Sequence, residues 1–205
     1  MPILPTTEED PRAAVRTLVD ELQPHDAVEA EHRAATLAWI DTGVPIFRTA
    51  KPATPPMHLV SYCLVVDTAA RLALLVDHRD AGRWLPTGGH VEPGEHPMVT
   101  AEREVEEELG TRLGFHPAVG KWPLLVTVTE TEGRSTRHTD VSLWFLFAAT
   151  PSTPIRPDPG EFAGARWWDF DEVGPQAEVA FDPHLPRCLA KLDRLLVDQR
   201  CPIGH

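Results

Sequence analysis

The stretch GGHVEPGEHPMVTAEREVEEELG, Gly88 to Gly110, constrains this chain more than any other, because it crowds five glutamates between Glu102 and Glu108. Like charges four apart on a helix repel by roughly a few tenths of a kcal/mol per pair. Acids in the last turns also oppose the helix dipole. The helix itself is well specified, since Pro97 falls in a first turn, where proline is tolerated. At about 100° per residue, with Glu104 at zero, Glu107 falls near ~300° and Glu108 near ~40°. Met98, Ala101, Val105 and Leu109 form an apolar stripe beside that acidic arc. Glu102 and Glu106 lie on the far side, in water. Three carboxylates therefore converge at the border of a buried face.

A solvated acidic face, with Arg103 paired to Glu107 four residues on, is the plainer reading of such a helix. The second reading is a cation site. Hard cations such as Mg²⁺ take carboxylate and carbonyl oxygens, with water and substrate phosphate completing the shell. A bound cation offsets the repulsion. Gly88, Gly89 and Gly94 precede the helix and let the backbone turn tightly and approach a ligand closely. A carbonyl of that loop is a further candidate ligand.

The same residues resemble the Nudix box, G-x5-E-x7-R-E-U-x-E-E-x-G-U, where U is a bulky aliphatic residue. Gly89, Glu95, Arg103, Glu104, Val105, Glu107, Glu108 and Gly110 fall on it in register, and Thr111 departs from it at the last position. The box spans only Gly89 to Thr111, but eight fixed positions make it specific. The resemblance implies an α/β/α sandwich with a mixed sheet and Mg²⁺- or Mn²⁺-dependent hydrolysis of a nucleoside diphosphate linked to another group. It further implies that Glu104, Glu107 and Glu108 ligate metal, that Gly88 or Gly89 adds a backbone carbonyl, and that Glu95 pairs with Arg103 to hold the loop on the helix. Glu104 or Glu107 would orient or deprotonate water. Glu161, on a loop before a strand, matches the further glutamate that related enzymes often bring in.

The rest of the chain fits an α/β domain with an N-terminal helical extension. Residues 1–50 read as that extension and its linker, and 51–205 as the hydrolase domain. EEDPRAAVRTLVDEL and DAVEAEHRAATLAWIDTG predict two helices, the second closed by Gly43. HLVSYCLVVDT and RLALLVDH predict a hairpin, as do PLLVTVTET and DVSLWFLFAAT around EGRSTRH. GRWLPTGG predicts a short strand entering a loop, ARWWDF a short strand, and HLPRCLAKLDRLLVDQ a last amphipathic helix. In the tandem Trp167–Trp168, neighbours on a strand point to opposite faces, which predicts one in the core and the other free.

The net charge of −12 disfavours duplex nucleic acid and anionic membranes as partners. No apolar run reaches membrane-spanning length, and the N-terminus lacks the pattern of a secretory signal. Cys63, Cys188 and Cys201 are odd in number and scattered, as in reduced thiols of a cytosolic protein. For substrate phosphate the candidate cations are Arg79, Arg83, His90 and His138, with a surface role as the alternative for the arginines and a hairpin-tip role for His138. Two rivals use the same fold: a non-catalytic nucleotide-binding sensor, and an isomerase that uses a cysteine in a distinct motif, which Cys63 does not match. A homodimer is compatible with the sequence. The substrate-specific extensions of the family are absent, so the substrate stays open.

Overall fold

The computed structural model describes residues 10–51, 53–132, 137–173 and 181–200. Two helices open it, α1 (Pro11–Asp20) and α2 (Ala27–Asp41). Each begins where an aspartate side chain accepts a backbone N–H: Asp10 from Arg12 and Asp26 from Glu29, so each satisfies an otherwise unpartnered donor of the first turn. Strands β1 (Met57–Asp67), β2 (Leu72–His78), β3 (Arg83–Leu85) and β4 (Thr87–His90) lead into α3 (Pro97–Leu109). Strands β5 (Gly114–Phe115), β6 (Leu125–Glu132), β7 (Arg137–Ala148) and β8 (Phe162–Asp169) follow. A 3-10 turn (Phe170–Glu172) and α4 (Leu185–Arg200) complete the order.

The eight strands form one mixed sheet. Its centre is a long parallel pairing of β1 with β7, from Met57 opposite Thr139 to Val66 opposite Ala148. The two predicted hairpins are among its antiparallel pairings: β1 with β2 and β6 with β7. The hairpin tip at 133–136 lies outside the described residues, as does Cys201. Alternation along β1 and β7 sends odd positions to one face and even positions to the other. Leu59, Cys63, Val65, Val141, Leu143, Phe145 and Phe147 share a core with residues of α1, α2 and α3. Leu64, Val66, Trp144 and Leu146 share the other with Leu185, Leu189 and Leu192 of α4. Helices thus cover both faces. The leucine stripe predicted on α4 is the one that is buried, with Leu195 and Leu196 at its margin.

Two sequence expectations change. The tandem tryptophans do point to opposite faces, but neither is free. Trp167 packs on the α3-side core and Trp168 on the α4-side core, since helices pack on both faces of the sheet. The glycines of GRWLPTGG are also not purely loop. Gly88 and Gly89 pair with Tyr62 and Ser61 as part of β4. From the N-terminal segment, Val15, Leu18, Val19, Ile40 and Ile46 pack into the α3-side core.

Candidate active site

Helix α3 is fixed at both ends. The His96 ring accepts the Met98 N–H at 3.1 Å, and Gly110 takes the left-handed φ of 63° that ends a helix. Met98, Ala101, Val105 and Leu109 are buried, as their stripe predicts, while Glu102 and Glu106 face solvent. The acidic arc therefore lies at the margin of the core. Glu108 is buried, Glu104 is half-buried, and Glu107 is 60% exposed at its side chain.

Arg103 organises this arc. Its Nε and Nη2 donate to the two oxygens of Glu95 at 3.2 and 3.1 Å. Its Nη1 donates to Glu104 at 2.7 Å and to Glu107 at 3.1 Å. Thr100 Oγ1 donates to Glu95 at 2.7 Å. The loop from Glu92 to Glu95 is thereby tied to the helix. Burial alone would raise the Glu95 carboxyl, but the Arg103 and Thr100 hydrogen bonds outweigh it and hold Glu95 below its usual value.

The glycines bring backbone against these acids. Gly88 N–H donates to Glu108 Oε2 at 2.8 Å. A Cβ at Gly89 would lie 2.3 Å from Glu104 Oε1, so any other residue there would push that carboxylate aside. At Gly88, with φ 148°, a Cβ would meet the Ser61 carbonyl oxygen at 2.3 Å.

Glu161 reaches the same place from the other side of the chain. The loop from β7 to β8 is stitched to the end of α3, with Arg156 N–H donating to the Leu109 carbonyl at 2.8 Å and Asp158 N–H to the Glu108 carbonyl at 2.9 Å. These bonds use carbonyls that a helix end leaves unsatisfied. Glu161 then lies exposed at the end of the loop, its carbonyl accepting from Arg79 N–H at 3.0 Å. Its charge acts on both Glu104 and Glu108.

The electrostatic result is a strained acidic cluster. Burial pushes the Glu108 carboxyl up to about 8; the Gly88 N–H opposes this, and the charges of Glu104, Glu161 and Glu107 add to it. Burial also raises Glu104, against the pull of Arg103 and with the push of Glu107 and Glu161. A divalent cation among these oxygens would relieve both effects. The donor set is all oxygen, which suits Mg²⁺ or Mn²⁺.

The proposed substrate cations are not gathered at this cluster. Arg79 Nε donates to the Pro159 carbonyl at 3.2 Å, beside the Glu161 loop. Arg83 Nη1 donates to the Phe181 carbonyl at 3.2 Å, towards the start of α4, where its charge also acts on Asp182. His90 and His138 are directed to a different group. They lie with His58 and Asp140 on the α4-side face of the sheet, the His58 ring centroid being 4.7 Å from that of His90 and 5.4 Å from that of His138. Burial lowers His90 to about 4, with the charges of Arg48 and His58 acting the same way. His58 and Asp140 escaped the sequence reading; the signal for the latter was H-x-D at the start of β7, which puts both side chains on one face. Cys63 is buried, its thiol donating to the Ala101 carbonyl at 3.4 Å, and burial raises its pKa well above the usual thiol value. A buried thiol that holds its proton is a packing residue of the core, as its failure to match the isomerase motif predicts.

Against known proteins, the model of the NUDIX domain matches residues 56–189. The chain belongs to the Nudix family. Over 98 residues it is 33% identical to the zebrafish (Danio rerio) m7GpppN-mRNA hydrolase NUDT17, covering 44% of this chain and 33% of that protein. An RNA pyrophosphohydrolase of Erythrobacter litoralis is 26% identical over 132 residues, 60% of this chain and 80% of that one. The chain spans about a third of the length of the vertebrate relatives it matches. Among solved structures, a Nudix-family hydrolase from Clostridium perfringens superposes with a TM-score of 0.51 at 21% identity, over 67% of this chain and 97% of that one. This Nudix fold is the α/β/α arrangement expected from the sequence. Among the described residues no helix is long and apolar enough to cross a membrane.

Proposed function

We propose that this Nudix chain is a metal-dependent pyrophosphohydrolase that cleaves a diphosphate linking a nucleoside to another group. The carrying observation is the meeting of Glu104, Glu107 and Glu108 on one edge of α3 with the Gly88–Gly89 backbone and the Glu161 loop. Glu104, Glu107, Glu108 and a carbonyl of Gly88 or Gly89 would hold Mg²⁺ or Mn²⁺. When bound, such an ion offsets charge on phosphate oxygens and lowers the pKa of a coordinated water.

The protein's own groups supply the rest. Arg103 keeps Glu104 and Glu107 oriented, and through Glu95 keeps the glycine loop seated. The absence of side chains at Gly88 and Gly89 lets phosphate oxygens approach the backbone. Glu104, Glu107 and Glu161 are the candidates to orient the attacking water and accept its proton at a carboxylate oxygen. Arg79, beside the Glu161 loop, is the better placed of the two arginines for substrate phosphate. The relatives' names support nucleotide polyphosphates, including RNA 5′ ends, as the substrate class.

The test is product release from nucleotide sugars, ADP-ribose, dinucleoside polyphosphates, nucleoside triphosphates and 5′-triphosphorylated RNA, with Mg²⁺ or Mn²⁺. Chelation by EDTA should abolish turnover. Among Glu104→Gln, Glu107→Gln and Glu161→Gln, the variant lacking the base should lose about 10²–10⁴-fold in kcat, with metal affinity retained if the base is Glu161. Variants lacking a ligand should lose metal affinity. Nucleotide binding without any turnover, unaffected by Glu107→Gln, would replace this reading with a sensor.

A further inference from the structure

On the sheet face opposite the glutamates, His58, His90, His138 and Asp140 bring one ligand atom each to within 4.8 Å of one another. They come from three strands. His58 on β1 is directly across from Asp140 on β7, and His90 ends β4 opposite Val60. The step from Gly89 to His90 crosses the sheet, so β4 serves the glutamate cluster on one face and this cluster on the other.

His58 is fully buried, and the proton on one of its ring nitrogens is fixed by its neighbour. Its Nδ1 lies 2.8 Å from the Pro55 carbonyl oxygen, which can only accept, so Nδ1 carries the proton. In the neutral ring Nε2 then presents a lone pair, and it faces Asp140 Oδ1 at 3.3 Å. Neither atom has a hydrogen-bond partner, and both are buried. Two acceptors facing each other in the interior are unfavourable unless a cation shares them. A single proton serves one such pair, but His138 Nε2 is also 3.5 Å from the same Oδ1. Asp140 Oδ2 is occupied separately, accepting from Thr131 Oγ1 at 2.9 Å.

This pattern is that of a prepared transition-metal site. A ligating histidine commonly donates its other ring N–H to a backbone carbonyl, and a ligating carboxylate is commonly held through its second oxygen. His58 with Pro55, and Asp140 with Thr131, meet both conditions. Two donors at about 2.0–2.1 Å from a tetrahedral zinc lie about 3.3–3.4 Å apart, and the His58–Asp140 separation matches. Three imidazoles and one carboxylate suit Zn²⁺ and its neighbours, whereas the all-oxygen cluster on α3 suits Mg²⁺ or Mn²⁺.

We propose that His58, His90, His138 and Asp140 form a second metal site, for a zinc-class divalent ion. It would clip the end of β4 to β1 and β7, and so fix the backbone of the adjoining Gly88–Gly89 pair from behind.

The experiment uses the full chain with Glu104, Glu107 and Glu108 all changed to Gln, freed of metal, so that the α3 cluster takes no part. Titration with Zn²⁺ by calorimetry and with Co²⁺ by visible absorption should show one equivalent, the cobalt in a four-coordinate spectrum. Adding Asp140→Asn or His138→Gln should weaken Zn²⁺ binding at least about 100-fold, and Thr131→Val should weaken it about 10–100-fold. Binding unchanged by these substitutions, or no zinc uptake by the folded chain, overturns the proposal. If the histidine and aspartate variants do not fold, histidine NMR of the unsubstituted chain decides. Zinc should shift the His58 ring as an Nε2-bound, Nδ1-protonated imidazole, and an unmoved His58 signal overturns the site. None of these readouts depends on hydrolysis, so failure of the enzymatic reading leaves the result intact.

Discussion

Arg103 grips Glu95 with two parallel hydrogen bonds, Nε to Oε1 at 3.2 Å and Nη2 to Oε2 at 3.1 Å. That fork joins the loop carrying Gly94 to the middle of α3, while Nη1 is left for Glu104 and Glu107. A lysine keeps the charge but cannot fill a two-pronged carboxylate site and reach two more acids at once. Arg103→Lys is therefore expected to lower kcat by about 10-fold or more with a smaller effect on KM, because it disorients Glu104 and Glu107 without removing them. It should also lower stability by about 1–3 kcal/mol, the range for losing charge-assisted hydrogen bonds to a partly buried carboxylate. Steady-state kinetics and denaturant unfolding of the same preparation check both parts.

The Glu108 carboxyl, raised to about 8 in the folded chain against an ordinary 4.5, makes a pH prediction for metal-free protein. A carboxyl raised on folding binds its proton more tightly in the native state. Stability is then full at low pH and is lost as pH rises from about 4.5 through about 8, at up to about 1.4 kcal/mol per unit. Burial raises Glu104 with the same sign. Thermal unfolding in EDTA should show Tm falling across that window. Glu108→Gln should flatten the fall. Mg²⁺ or Mn²⁺ should raise Tm most at the alkaline end, where the acids are charged and the ion binds only the folded state.

Gly88 and Gly89 separate two kinds of damage. An alanine at Gly89 puts its methyl 2.3 Å from Glu104 Oε1, the far end of a side chain that can move. Gly89→Ala should thus fold nearly as well as the parent but lose about 10²-fold in kcat through a displaced carboxylate. An alanine at Gly88 meets the Ser61 carbonyl oxygen and the Tyr62 Cα at 2.3 and 2.9 Å, both backbone, at a φ of 148°. Gly88→Ala should cost stability as well as activity, by about 1–3 kcal/mol. Equal Tm loss in the two variants would contradict this division.

How much of this was legible depended on whether the signal was local. The acidic arc of α3 could be read because Glu104, Glu107 and Glu108 lie within one turn and a 3.6-residue period places them. The Glu95–Arg103 fork followed from the family resemblance. By contrast, the second glycine fell in a strand because Ser61, 28 residues upstream, pairs with it, a partner no local pattern names. One of the tandem tryptophans was expected to be free because strand alternation does not say whether the second face is covered; Trp167 packs on the α3-side core and Trp168 on the α4-side core. His58, His90, His138 and Asp140 come together only through the parallel β1–β7 register and the β1–β4 pairing. His90 and His138 could be singled out as candidate cations, but nothing local groups either of them with His58 or Asp140.

The last prediction concerns how α2 is held on the α4 side. Glu29 is fully buried, taking Lys191 Nζ on one oxygen at 2.6 Å and the His25 N–H on the other at 2.6 Å. Beside it Arg187 pairs with Asp26, the cap of α2, at 2.8 and 2.6 Å. Burial lowers the Lys191 pKa and its bond to Glu29 opposes this. Breaking such a pair from one side leaves a buried charge without its counterion, which costs about 3–5 kcal/mol. Lys191→Met alone should therefore lower stability by that amount. The double change Glu29→Leu with Lys191→Met removes both charges and should recover most of the loss, since an apolar pair of similar volume often replaces a buried ion pair without penalty. A double-mutant cycle by urea unfolding measures this directly. Near-additive losses would mean that the pair is solvated enough to act as two independent charges. In either variant kcat should stay close to the parent value, because neither residue touches the acids of α3 or the Glu161 loop.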